Sequence, residues 1–192
     1  VDESIPAFVR NVCEPIDALK GDLLPVSAFN GREDGTWDNG TAAYEKRGIA
    51  TNVPMWKIEN CIQCNQCAYV CPHAAIRPFL ATEEQAAASG VEWKQGLGET
   101  KHLKFRIQVS PLDCTGCNNC VDVCPAKDKA LVMRPLAEQL PQAENWTKVT
   151  KEIGYKEYVD KTKSVKNLQF AQPLFEFSGA CAGCGETPYI KA

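Results

Sequence analysis

Cys61-Ile-Gln-Cys64-Asn-Gln-Cys67-Ala-Tyr-Val-Cys71-Pro72 is echoed further along the chain by Cys114-Thr-Gly-Cys117-Asn-Asn-Cys120-Val-Asp-Val-Cys124-Pro125. Each copy spaces its cysteines as CxxCxxCxxxCP and then runs into a short apolar segment, Ala75-Ile76 and Ala130-Leu131-Val132-Met133. Two copies of one unit predict a domain with pseudo-two-fold symmetry. Three cysteines at i, i+3 and i+6 let one tight loop converge on a single body from three sides. Backbone N–H groups of such a loop point inward, and a glycine such as Gly116 keeps the backbone close. The fourth cysteine sits on a segment already leaving the loop, and Pro72 and Pro125 turn the chain after it.

This is the ligand pattern of two-cluster [4Fe–4S] proteins of the bacterial ferredoxin type, in which the fourth cysteine serves the other cluster. One predicted site therefore takes Cys61, Cys64, Cys67 and Cys124, and the second takes Cys114, Cys117, Cys120 and Cys71. The expected fold is α+β, a two-[4Fe–4S] ferredoxin-like domain with a long insert between the repeats and irregular or extended flanks. Structural zinc needs four ligands, usually as two CxxC pairs; a third thiol at i+6 followed by Cys-Pro, twice, is not that pattern. Disulfide scaffolds are short, secreted and evenly stapled, whereas these cysteines cluster. His73 and His102 lack converging partners and read as packing or surface residues. Neither a nucleotide loop nor a nucleophile motif is present, so no catalytic residue is expected, and the chemistry is one-electron transfer.

Bulk properties agree. The chain has 192 residues, 44% hydrophobic content, a net charge of −3 and eleven cysteines. Near-neutral charge gives no argument for nucleic-acid binding. There is no apolar run of the roughly 20 residues a membrane helix needs, and no signal segment opens the sequence. Unpaired clustered thiols point to a reducing compartment, hence cytoplasm.

Outside the repeats, residues 4–20 follow a helical period, with Ser4 as N-cap, Gly21 as stop, a break expected near Cys13 because of Pro15, and Cys13 on the buried stripe. Residues 25–57 are rich in Gly, Asn, Asp and Pro and read as irregular, with turns at Gly31, Gly35 and Gly40. The insert is predicted to hold a helix from Thr82 to Ser89, capped by Thr82, and a strand in which Leu103, Phe105, Ile107 and Val109 alternate with polar residues. Residues 135–173, lysine-rich and weakly periodic, read as an extended connector with a solvated surface. The sequence then reaches Phe175-Glu-Phe-Ser-Gly-Ala-Cys181-Ala-Gly-Cys184-Gly-Glu186-Thr-Pro. A lone CxxC at this point, together with Val rather than Met at position 1, leads us to expect a piece of a longer polypeptide.

With these residues in hand, the chain resembles the middle of the pyruvate:ferredoxin (flavodoxin) oxidoreductases, large thiamine-diphosphate enzymes of anaerobic metabolism. The resemblance is carried by Leu24-Pro-Val-Ser-Ala-Phe29, Gly31-Arg-Glu-Asp-Gly-Thr36 and Gly40-Thr-Ala-Ala-Tyr-Glu45-Lys46-Arg47-Gly48. It is also carried by the double cysteine motif and by the 175–188 segment. It implies five parts: 1–24, the helical end of a preceding domain; 25–57, an irregular Glu-Lys-Arg linker; 58–136, the two-cluster domain; 137–173, a connector; and 174–192, the start of a thiamine-diphosphate and proximal-cluster domain. It further implies that Cys181 and Cys184 supply half the ligands of a third [4Fe–4S] cluster and that Glu186 lies beside thiamine diphosphate. Mg²⁺, coenzyme A and the pyruvate site would belong to the rest of the polypeptide. Ferredoxin or flavodoxin would be the acceptor, and the full enzyme would be a homo-oligomer without nucleic-acid or membrane partners. A free-standing two-cluster carrier is the alternative reading.

Overall fold

The computed structural model describes residues 4–155 and 157–191. Five strands carry the cysteine-bearing region: β1 (Asn52–Trp56), β2 (Ile76–Ala81), β3 (Lys94–Gln95), β4 (Lys104–Val109) and β5 (Leu131–Pro135). β1 and β5 pair antiparallel, Asn52 opposite Pro135 and Trp56 opposite Leu131. β2 and β4 also pair antiparallel, Ile76 opposite Val109, and β3 adds to the far edge of β4. Each cysteine repeat is thus a strand, a loop, a one-turn helix and a strand. In the first the order is β1, the loop, the helix Gln66–Tyr69 and β2; in the second it is β4, the loop, the helix Asn119–Asp122 and β5. Both pairings join a strand of one repeat to a strand of the other, which is the two-fold relation the duplicated motif implied. The architecture is α+β.

Ile76, Leu80, Phe105, Ile107 and Leu131 form the centre of the apolar core, with the cysteines at its margin. Pro54 and Pro78 are accommodated because β1 and β2 each have a free edge. The expected insert helix spans Glu83–Ala88, and Thr82 caps it. Gln85 N–H donates to Thr82 Oγ1 at 3.2 Å while Thr82 N–H donates to Gln85 Oε1 at 3.1 Å, a complete capping box.

Two readings are corrected. The irregular stretch does not run to residue 57, because 52–56 is β1. A five-residue strand containing Pro54 carries too little pattern to stand out. Nor is 135–173 extended throughout: Leu136–Gln139 and Pro141–Thr147 are helical, and Lys148–Ile153 continues as a wider π-helical turn. Trp146, Val149 and Ile153, at i, i+3 and i+7, are buried on one face. Phe79 and Trp146 meet edge to face at 6.4 Å.

That helix covers the second face of the β2–β4 hairpin, so the polar residues of β4 are buried as well. Arg106 donates from Nε to Gln108 Oε1 (2.7 Å), from Nη1 to the Glu92 carbonyl (2.6 Å) and from Nη2 to Gln142 Oε1 (3.2 Å). Gln108 Nε2 donates to the Val109 carbonyl at 2.9 Å. Burial of these polar groups is tolerated because each finds partners.

By internal contacts the chain divides into two compact units, 1–46 and 47–192. In the first, Val9–Cys13 is a π-helical turn followed by the short α-helix Glu14–Asp17 with Pro15 near its start. Phe8 packs edge to face on Trp37 at 4.8 Å, and the Arg32 guanidinium lies 3.8 Å over the Phe8 ring. Gly31, Gly35 and Gly40 all have positive φ, at the expected turns. Cys13 is half-buried rather than a core residue. Among the described residues no helix is long and apolar enough to cross a membrane.

Candidate metal centres

Both cysteine loops take the same backbone path. Gln63 and Asn65 in the first, and Gly116 and Asn118 in the second, occupy the left-handed region at equivalent positions. At the first of these positions the two loops differ in side chain for a packing reason. Gln63 sends its carboxamide into the insert, donating to the Gln95 carbonyl (2.7 Å) and accepting from Leu97 N–H (3.0 Å). A Cβ at Gly116 would stand 2.9 Å from the Asn52 carbonyl oxygen and 3.2 Å from Ala50 Cβ, so only glycine fits.

The loops enclose two cavities. One is lined by Cys61, Cys64, Cys67 and Cys124. The other is lined by Cys71, Cys114, Cys117 and Cys120. Each cavity thus receives three cysteines from one repeat and the fourth from the other, the grouping expected from the spacing. Among the described residues, no three His, Cys, Asp or Glu side chains converge closely enough for a single metal ion.

Electrostatics fit a cluster. Burial raises the Cys67, Cys120 and Cys61 thiols, and raises Cys114 to about 12. Thiolates so desolvated need bound cations to form. Backbone N–H groups are already directed at sulfur: Ala75 to Cys71 Sγ (3.3 Å), Gly116 to Cys114 Sγ (3.4 Å) and Ala130 to Cys124 Sγ (3.4 Å). Trp56 supplies a further donor. Its indole Nε1 is buried in the wall of the first cavity, makes no well-formed hydrogen bond, and by its approach to the Cys61 sulfur draws that thiol down against the larger effect of burial. An acceptor in that cavity, such as cluster sulfide, would satisfy it.

Lysines close the loops from outside. Lys94 Nζ donates to the carbonyls of Ile58 (3.0 Å), Glu59 (3.0 Å) and Cys61 (2.8 Å). Lys129 Nζ donates to those of Asp122 (3.0 Å) and Cys124 (2.8 Å). Sequence reading missed these lysines and Trp56. Only contact across the fold identifies Lys94 and Trp56; Lys129 was within reach as a charged neighbour of the second motif.

The 175–191 segment lies against the second cavity. His73, buried as expected of a packing residue, has Nε2 2.7 Å from the Ala180 carbonyl, and Phe177 N–H donates to the His73 carbonyl at 3.0 Å. Arg77 is buried and bonds Tyr155 Oη, Glu176 and the Ala74 carbonyl (2.6 Å). A Cβ on Gly183 would stand 3.6 Å from Cys117 Cβ. Cys181 is exposed and Cys184 half-buried, and N–H groups of Thr187 and Glu186 hold the Cys184 thiol below its ordinary value. Glu186 is exposed at the start of the helix Thr187–Lys191.

Residues 60–127 match the family described as the 4Fe-4S dicluster domain. Residues 1–50 match a domain of unknown function designated EKR. Over nearly its whole length the chain is a homologue of one segment of the pyruvate-flavodoxin and pyruvate:ferredoxin oxidoreductases. It is 56% identical over 189 residues (97% of the chain) to pyruvate:ferredoxin oxidoreductase of Moorella thermoacetica, and 52% identical over 191 residues (98%) to pyruvate-flavodoxin oxidoreductase of Enterobacter agglomerans. It is 46% identical over 187 residues (96%) to a mitochondrial pyruvate dehydrogenase [NADP(+)] of Euglena gracilis. The chain spans 16%, 16% and 10% of the length of these relatives.

Proposed function

We propose that the chain is the electron-transfer part of a thiamine-diphosphate-dependent pyruvate:ferredoxin or flavodoxin oxidoreductase. In this reading Cys61, Cys64, Cys67 and Cys124 hold one [4Fe–4S] cluster, and Cys71, Cys114, Cys117 and Cys120 hold another. The observation that carries it is the crossing: Cys124 lines the first loop's cavity and Cys71 the second's. A bound cluster takes up and gives back one electron at a time, so this part relays the electrons of pyruvate oxidation and leaves the carbon chemistry to other domains.

The chain's own residues hold thiolates at fixed spacing, aim N–H groups at them and keep water out with Trp56, Ile107 and Leu131. Cys181 and Cys184 would contribute half the ligands of a third cluster, and Glu186 would lie beside thiamine diphosphate. The tail's packing against the Cys117 loop supports entry of electrons at the Cys71 set. At the other end Ile62, between two ligand positions, lines both the first cavity and an open groove also lined by Leu97, Glu99, Lys163 and Lys166. Lys163 Nζ lies 3.9 Å from Glu99, and the excess of lysine over carboxylate suits docking of an acidic ferredoxin or flavodoxin. Mg²⁺ and coenzyme A, homo-oligomerisation and a cytoplasmic setting complete the reading. Of the five-part division, the breaks at 24/25 and 173/174 are kept in this reading; β1 joins the two-cluster domain through its pairing with β5, and a break at 136/137 would cut the helix Leu136–Gln139.

Single Cys→Ser substitutions test it by electron paramagnetic resonance of the anaerobic, iron-loaded chain. Cys124→Ser and Cys61→Ser are expected to abolish the same signal, and Cys71→Ser and Cys114→Ser the other. Cys124→Ser pairing with Cys114→Ser would refute the crossed ligation. A wild type holding zinc without sulfide would refute the cluster reading itself.

A further inference from the structure

The pseudo-two-fold axis relates Ala74 to Lys129. Both precede an alanine, Ala75 or Ala130, whose N–H donates to the fourth cysteine's sulfur, and both have positive φ, +50° and +36°. Both then lead into a strand, β2 or β5. From this position Lys129 reaches the carbonyl of Cys124 at 2.8 Å and that of Asp122 in the preceding helix at 3.0 Å. Alanine at position 74 has no such arm, so the first repeat cannot make the contact from within.

The tail makes it instead. Lys191, at the end of the helix Thr187–Lys191, extends its ammonium to the carbonyl of Cys71 at 3.0 Å and to that of Ala68 in the preceding helix. These correspond to the contacts of Lys129: the fourth cysteine's own carbonyl and one from the helix before it. Lys191 is half-buried, and Arg77, a second cation on this side of the fold, is itself paired with Glu176.

We propose that Lys191 is a positioning and charge-setting residue for the Cys71, Cys114, Cys117 and Cys120 site, supplying from the tail the ammonium that Lys129 supplies within the second repeat. Reduction adds one negative charge to a cluster held there. A fixed ammonium favours the reduced form over the oxidised one and raises the reduction potential. Seating of the CxxC segment on the fold and the driving force at the adjacent site are therefore coupled through one side chain. The proposal rests on clusters being held at both cysteine sets.

The test is a redox titration of the anaerobic, iron-loaded chain, read by electron paramagnetic resonance. Lys191→Gln, and Lys191→Met as a second neutral variant that keeps the packing of the stem, are expected to lower one of the two one-electron midpoints. The expected size is about tenfold in the reduced-to-oxidised ratio, or about 59 mV. Lys191→Arg should stay at the wild-type value and Lys191→Glu should fall further, an order set by charge rather than by packing. Lys129→Gln should lower the other midpoint. Wild-type midpoints in the neutral and acidic variants, or an equal displacement of all four Lys191 variants, would overturn the proposal. Iron and sulfide missing from the wild type would instead fault the cluster reading beneath it.

Discussion

The Nε2 atom of His73 lies 2.7 Å from the carbonyl oxygen of Ala180, the residue before Cys181. Because a carbonyl only accepts, the imidazole proton is on Nε2, and the ring ties the tail to the turn that follows Cys71. His73→Phe keeps much of the packing but loses this bond. It is expected to speed amide exchange across residues 176–184 about fivefold, the equivalent of about 1 kcal/mol, with both outer clusters retained. Arg77→Ala goes further, because it empties a buried site and releases Glu176 and Tyr155 together. A loss of about 3 kcal/mol in denaturant unfolding is expected. Hydrogen–deuterium exchange and chemical denaturation check the two outcomes.

Gly116→Ala should fail at the second site. Its φ of +71° is strained for alanine, and the added Cβ meets the Asn52 carbonyl at 2.9 Å. Strain of about 1–3 kcal/mol is expected from the backbone, with clash added, and iron content should fall toward half of the wild-type value. Gly90→Ala is the control: its φ is +67°, but nothing lies within 4 Å of the new Cβ, so it isolates the conformational cost. Equal stability and iron content in the two variants would mean that close backbone approach at Gly116 is unimportant.

Reversing charge at the groove should slow delivery of electrons to an acidic carrier. Lys163→Glu with Lys166→Glu is expected to reduce the second-order rate of ferredoxin or flavodoxin reduction by the photoreduced chain about tenfold at low ionic strength. The difference should shrink as salt is added. Methyl viologen, small and cationic, should be reduced no more slowly. Lys151→Glu, outside the groove, controls for net charge; an equal loss there would remove the groove from the proposal.

What the sequence disclosed was whatever spacing alone controls. The cysteine interval forces three thiols round one cavity, and the crossing follows because Cys71 and Cys124 are carried away from their loops. The strand through Leu103 and Val109 was legible from alternation, and the helix after Thr82 from its cap. β1 was not, since Pro54 interrupts five residues. The helix over 141–153 was hidden because its buried stripe is only Trp146, Val149 and Ile153 among lysines and polar residues. With that helix unseen, the alternation in β4 gave no sign that Arg106 and Gln108 are buried too. Lys191 and Cys71 meet across the fold, and no local signal reports such a contact.

The carboxamide of Gln142 touches both Arg106 and Gln108, and this bears on where the protein can be cut. A fragment trimmed to the matched 60–127 stretch would lose β1, β5 and the roof of the hairpin, baring a guanidinium-studded sheet and its raw edge. Such a minimal ferredoxin should clump during expression. Engineers seeking a portable electron relay would do better to keep the chain through Ile153.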